Sequence, residues 1–189
     1  MTRRWLQVGF VIAGLAACVQ HSASSFYVQA SEPAPGEIGS HLPDFSVKNL
    51  QGKEISSVDL KGKVVIIDFW ATWCGPCKQE MPGYQKLVDR YGAQGLVVIG
   101  LKSDAMADTE NPLKFARRIG VRYPLAVATD ELTRKFGGIE GLPTTLLYDR
   151  SGVLRKKIIG FESANVLESE LKTLLLAREH RKTQLLLEL

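Results

Sequence analysis

The run Asp68-Phe69-Trp70-Ala71-Thr72-Trp73-Cys74-Gly75-Pro76-Cys77-Lys78-Gln79-Glu80-Met81-Pro82 constrains the fold more than any other part of this 189-residue chain. Before it stands an apolar, β-branched stretch, Val64-Val65-Ile66-Ile67, which reads as a buried strand. Helix-forming residues come after it, so two cysteines fall at a strand-to-helix junction. Cys74 takes the N-cap position, with Gly75 and Pro76 in the first turn, where proline's missing N–H would have had no partner anyway. The partial positive charge and unpaired N–H groups of a helix start favour a thiolate over a thiol at Cys74, hence a nucleophile near neutral pH. Cys77 follows one turn later, within reach of a disulfide and more buried by position. The pair reads as a redox-active dithiol, with Cys74 attacking and Cys77 resolving the mixed disulfide. The competing reading is a structural or metal-binding pair. Zinc would require two more ligands at matching spacing, and His21, His41 and His180 are scattered. No metal or cofactor is expected.

Around this junction the chain reads as one domain with extensions. Residues 42–55 alternate weakly about Asn49-Leu50-Gln51-Gly52-Lys53, a hairpin pattern, and residues 56–63 form a capped turn into the central strand. The helix from the dithiol runs to about Tyr91, burying Met81, Tyr84, Leu87, Val88 and Tyr91, with a kink expected at Pro82. A second buried strand covers residues 96–101, and residues 102–111 read as a polar loop. Pro112 opens a helix to about Ile119, residues 123–127 form a short strand, and Asp130 caps a helix ending at Gly137-Gly138. Strands over residues 144–148 and 153–159 form an antiparallel hairpin about Asp149-Arg150-Ser151-Gly152. A closing helix from about Ala164 buries Leu167, Leu171, Leu174 and Leu175. Parallel βαβ units, a hairpin and a closing helix predict an α/β three-layer sandwich. An apolar fraction of 45% suffices for its core.

The first residues read as a targeting segment. Arg3 and Arg4 precede an apolar stretch over residues 5–17 that is too short to span a membrane. It ends Leu15-Ala16-Ala17-Cys18, which resembles the lipobox of bacterial lipoproteins. That resemblance implies cleavage before Cys18 and lipid attachment to its thiol, giving a membrane anchor. An ordinary secretory signal cut further on, after Ala30, is the alternative. Residues 19–40 read as a flexible tether able to span roughly 25 Å. The formal charge of +4 includes Arg3 and Arg4, so removal of the leader leaves +2, too little to suggest a nucleic-acid partner. Residues 178–189, charged and then Leu-rich, form a tail beyond the domain at 41–177.

Trp73-Cys74-Gly75-Pro76-Cys77-Lys78 after a strand ending Asp68-Phe69-Trp70-Ala71 resembles thioredoxin. The wider pattern from Phe69 to Pro82, with Glu80 in place, resembles the exported thiol-disulfide reductases of the TlpA/ResA type, over residues 42–176. The resemblance implies a thioredoxin-like fold with an N-terminal β-hairpin extension, and reduction of disulfide-containing protein substrates by a monomer. It implies a membrane-embedded thiol transporter as electron donor, and cytochrome c maturation or protection of exported cysteines as the task. Pro143 in Gly141-Leu142-Pro143-Thr144 resembles the family's cis-proline, whose neighbour Leu142 would pair with substrate backbone. Trp73, Gly75 and Pro76 would border the same surface, and Trp70 and Trp73 either flank the site or belong to the core.

Asp68, expected at the end of a strand buried on both faces, would have its carboxyl pKa raised by desolvation and take the Cys77 proton. A carboxylate satisfied by backbone donors is the alternative. The lysine that accompanies this aspartate in thioredoxins has Lys102 as a candidate stand-in. Glu80 either tunes the thiols or is an acid favoured by the helix dipole. A thiol peroxidase of the redoxin group is a further functional reading. Its Pro-x-x-x-Thr-x-x-Cys pattern is broken here by Ile67 and Ala71. A lipid-anchored binding module that kept the fold is the non-enzymatic one.

Overall fold

The computed structural model describes residues 32–103 and 110–187. Cys18, the leader, the first part of the tether and the loop at 104–109 lie outside the described residues, as do the side chains from residue 178 onward. The elements, in chain order, are β1 (Ser46–Lys48), β2 (Glu54–Ser56), β3 (Val64–Trp70), α1 (Gly75–Tyr91), β4 (Leu96–Ser103), α2 (Pro112–Arg118), β5 (Leu125–Ala128), α3 (Asp130–Lys135), β6 (Thr144–Tyr148), β7 (Leu154–Ile159) and α4 (Ala164–Leu187). A 3-10 turn, Ser57–Leu60, joins β2 to β3 and is capped by Ser56.

Five strands form one sheet in the order β5-β4-β3-β6-β7. β3, β4 and β5 are parallel, whereas β6 and β7 are antiparallel to their neighbours. β3 therefore lies at the centre, and all seven of its residues are buried. Its side chains alternate between two cores, as strand geometry requires. Val64, Ile66 and Trp70 join the cluster formed with α1, α2 and α4. Val65, Ile67 and Phe69 join the cluster formed with α3 and the β1–β2 hairpin. This is the expected α/β sandwich with its N-terminal hairpin. The hairpin turns on Asn49, whose Oδ1 accepts from the N–H groups of Gln51 and Lys53 at 3.0 and 2.8 Å. It docks on the sheet edge through Leu50 N–H to the Leu125 carbonyl, 2.7 Å.

Several boundaries differ from expectation, each for a physical reason. Asp68 does not end its strand: β3 continues to Trp70, because pairing with β4 persists to Lys102. Lys102 accordingly belongs to β4 and is buried, not to a polar loop. The α3 N-cap is Thr129, whose hydroxyl accepts from Leu132 N–H, while Asp130 is the first helical residue. β5 begins at Leu125, so Tyr123 precedes the strand. α1 runs across Pro82 to Tyr91, as expected, but Val88 is only half-buried. The α4 backbone stays helical through Leu187, well past residue 177. Packing also starts before residue 41. Gly39 N–H bonds the Leu154 carbonyl at 2.9 Å, and Gly36 packs so closely on Phe136 that a Cβ there would meet its carbonyl oxygen.

Candidate functional site

The site begins where β3 hands over to α1. Cys74 is the N-cap of α1, in extended backbone conformation, and its Sγ accepts the Cys77 N–H at 3.2 Å. Gly75 and Pro76 form the exposed first turn, as their types predict. One helical turn sets the two Cα atoms 5.3 Å apart, and the cysteines are joined by a disulfide. Cys77 is fully enclosed while Cys74 keeps 3% of its surface exposed. Of the two cysteines, Cys74 is the one with surface left open to solvent.

The Leu142–Pro143 peptide bond is cis, as the resemblance implied. The loop is held by Gly160 N–H on the Pro143 carbonyl at 2.8 Å and by Thr144 Oγ1 on the Gly141 carbonyl at 2.7 Å. Leu142 and Trp73 pack, half-buried, against the cluster containing both cysteines. Trp70 is core instead: it is fully buried and stacks on Phe115 with ring centroids 5.2 Å apart.

The α1 side of the sheet also encloses two carboxylates. Asp68 is inaccessible to solvent and points to the α1 side of the sheet by strand alternation. Tyr123 donates to its Oδ2 across a long 3.5 Å contact, and no partner meets Oδ1. Burial pushes its carboxyl well above the usual range, and the neighbouring Glu80 charge adds to that, against a small opposing effect from Tyr123. Glu80 is 2% exposed despite sitting near the helix start, so dipole favour alone does not describe it. Its Oε1 accepts from Thr145 Oγ1 at 3.0 Å and its Oε2 from Glu162 N–H at 3.1 Å. Burial raises its pKa, while the Glu162 N–H, Tyr84 and Thr145 pull it back. Tyr84 in turn contacts Thr145 Oγ1 at 2.9 Å.

Thr145 and Tyr123 do not stand out in the sequence, and Tyr84 reads there only as a core position. Thr145 is one of several β-branched residues in a strand. Its placement follows from the register of β3 with β6, in which Asp68 faces Thr145. Lys102 lies beside Trp70 on the same face, with its Nζ 3.3 Å from the Ser103 carbonyl.

The chain matches the AhpC/TSA family over residues 38–157. It is 37% identical over 137 residues to the thiol-disulfide oxidoreductase ResA of Bacillus thuringiensis (strain Al Hakam), covering 72% of this chain and 78% of that one. The chain belongs to the AhpC/TSA family and, within it, to the ResA-like thiol-disulfide oxidoreductases. The thioredoxin-like protein YneN of Bacillus subtilis (strain 168) is 31% identical over 173 residues, 90% of this chain and 98% of its own. A crystal structure of a thiol:disulfide interchange protein of the thioredoxin family from Chlorobium tepidum TLS superposes with a TM-score of 0.67 at 33% identity. It covers 74% of this chain and 98% of that chain. The TlpA/ResA-type reading and the thioredoxin-like fold are thereby borne out, and the oxidoreductase activity goes with the Cys74–Cys77 pair.

Proposed function

We propose that this oxidoreductase works outside the cytoplasm as a reductase of protein disulfides. Cys74 attacks and Cys77 resolves. The single observation that carries the assignment is the placement of Cys74 at the α1 N-cap, with the Cys77 N–H aimed at its sulfur. That N–H and the helix start stabilise negative charge on Cys74 and not on the enclosed Cys77.

In the reduced enzyme the Cys74 thiolate attacks one sulfur of a substrate disulfide. A Cys74–substrate disulfide forms and the other substrate sulfur departs as a thiolate. Cys77 then gives its proton to Asp68, attacks Cys74 Sγ and expels the second substrate sulfur. The Cys74–Cys77 disulfide carries away the two electrons' worth of oxidation. Trp73, Gly75, Pro76, Leu142 and Pro143 border the approach. Leu142 uses neither its N–H nor its carbonyl in the described hydrogen bonds, which leaves both for an extended substrate segment.

Recharging the disulfide calls for a reductant, for which a membrane thiol transporter is the fitting donor, and cytochrome c maturation is the fitting task. Lipid attachment at Cys18 would hold the domain, as a monomer, at the membrane. Among the described residues no helix is long and apolar enough to cross a membrane. The peroxidase reading gains no support at the site, where Ile67 and Ala71 stand in place of the proline and threonine of that chemistry.

Trapping tests the assignment. Cys77→Ser should accumulate substrates as mixed disulfides on Cys74, and Cys74→Ser should trap none. Equal trapping by both variants would overturn it. Cys18→Ser should lose labelled fatty acid while the soluble part reduces insulin disulfides unchanged; retained label would remove the anchor from the proposal.

A further inference from the structure

Two carboxylates enclosed on one face of a sheet are not equivalent when their hydrogen-bond partners differ. Glu80 has a donor at each oxygen: Thr145 Oγ1 at 3.0 Å and Glu162 N–H at 3.1 Å. Thr145 has a single hydroxyl proton, and against an ionised Glu80 it can only donate it. The oxygen of Thr145 is then left to accept, so Tyr84 is the donor in their 2.9 Å contact. The result is a directed chain from Tyr84 through Thr145 to Glu80, in which each hydrogen bond polarises the next. Asp68 has one long contact with Tyr123 and an unpartnered Oδ1. Donors to both oxygens favour the charged form, and an acceptor enclosed without a donor favours the protonated one.

We propose that Tyr84 and Thr145 are positioning residues that separate the proton affinities of this pair. Their donor chain holds Glu80 as a standing anion, and Asp68 is the member that takes up and releases a proton. The inference rests on the reading of Asp68 as the base for Cys77. Glu80 then contributes charge and not a proton. Its negative field makes the enclosed Asp68 a stronger base, and the proton received from Cys77 stays on Asp68 instead of passing on to Glu80.

The surrounding groups are consistent with this division. Burial raises both carboxyls; the Glu80 charge adds to the rise at Asp68, whereas at Glu80 the Glu162 N–H, Tyr84 and Thr145 counter it without cancelling it. Tyr84 and Tyr123 are both pushed upward by burial and by the carboxylates, so neither gives up its proton in the working range. Glu162 reaches Glu80 with its backbone N–H, while its own carboxylate repels Glu80 and is held by Lys156 at 3.0 Å. From β4, Lys102 is the charged side chain on this face. The two acids also differ in access. A surface groove of about 260 Å³ between α1 and the start of α4 is lined by Glu80, with Gly83, Phe161 and Ala164, whereas Asp68 has no solvent contact.

The test is a carboxyl ¹³C NMR titration of the oxidised full-length protein carrying labelled Asp and Glu. Asp68→Asn and Glu80→Gln assign the two signals by their loss. In the native protein Glu80 should titrate below Asp68. Thr145→Val should move Glu80 upward by roughly one to two pH units, the worth of a lost hydrogen bond to a charged group. Tyr84→Phe should shift it in the same direction by less, and Thr145→Ser, which keeps the hydroxyl, should leave it in place. Asp68 titrating below Glu80, or Glu80 unmoved in Thr145→Val and Tyr84→Phe, overturns the proposal. None of these readings depends on turnover. An intact titration order with wild-type exchange in Asp68→Asn would instead remove only the base role of Asp68.

Discussion

The two faces of the central sheet are built from the same strands and do different work. On the α3 side, β3 contributes Val65, Ile67 and Phe69, and an aromatic cluster closes over them. Phe136 meets Phe45 and Phe69 at centroid distances of 5.7 and 5.6 Å. Among the described residues, no buried charged side chain is part of this side. On the α1 side the same strand contributes Asp68 between Ile66 and Trp70, and Glu80, Tyr84, Thr145, Tyr123 and Lys102 gather there. Enclosing carboxylates costs stability, which apolar burial elsewhere must offset. The contrast teaches that one face stabilises the fold while the other encloses carboxyl groups whose proton affinities burial shifts.

If that division holds, damage to the α3 side should be large in stability and absent in chemistry. Phe136→Ala should destabilise by about 3–5 kcal/mol through the cavity it leaves. Disulfide-exchange rates measured on the folded fraction should match wild type, and a slowed rate would break the comparison. Asp68→Asn should show the reverse. Release of the mixed disulfide should slow by about 10²-fold, the low end for a general base that water can replace.

Stability should shift with the opposite sign. The folded Asp68 pKa lies above its unfolded value, so its contribution is present at low pH and lost as pH rises through the folded pKa. Denaturant unfolding should therefore find Asp68→Asn more stable than wild type above that pKa and no better below the unfolded one. A variant less stable at neutral pH with normal kinetics would make Asp68 a structural ligand.

Two smaller effects sharpen the contrast. Gly100 faces Asp68 across β3–β4, and a Cβ there would lie 2.4 Å from Leu125 Cδ2 and 3.0 Å from Trp70 Nε1. Gly100→Ala should cost about 1–3 kcal/mol by overpacking. Because it displaces the α1 side, it should also perturb the Asp68 carboxyl signal, and an unmoved signal would count against close packing there. Thr129→Ala removes the α3 cap and should cost about 1 kcal/mol, with no kinetic effect. Chemical denaturation and exchange assays read both.

By itself, the sequence determined much of what local rules place, the α3 cap excepted. The β-branched run before Asp68, the cysteine N-cap and Pro76 in the first turn are short-range patterns that the structure adopts, whereas the cis bond before Pro143 was implied by the family resemblance. Boundaries that depend on partners were not legible. β3 reaches Trp70, and Lys102 belongs to a strand, because β4 offers a pairing edge that far. Thr129 takes the cap from Asp130 because its hydroxyl reaches the Leu132 N–H. The carboxylate site was the least legible of all. Asp68, Glu80, Tyr84, Tyr123 and Thr145 come from β3, α1, the segment before β5, and β6. Only the β3–β6 register and the phase of α1 bring them together. No spacing along a chain encodes a hydroxyl that must meet a carboxylate 65 residues away. That meeting is decided by tertiary packing, because a hydrogen bond depends on where two atoms lie in space.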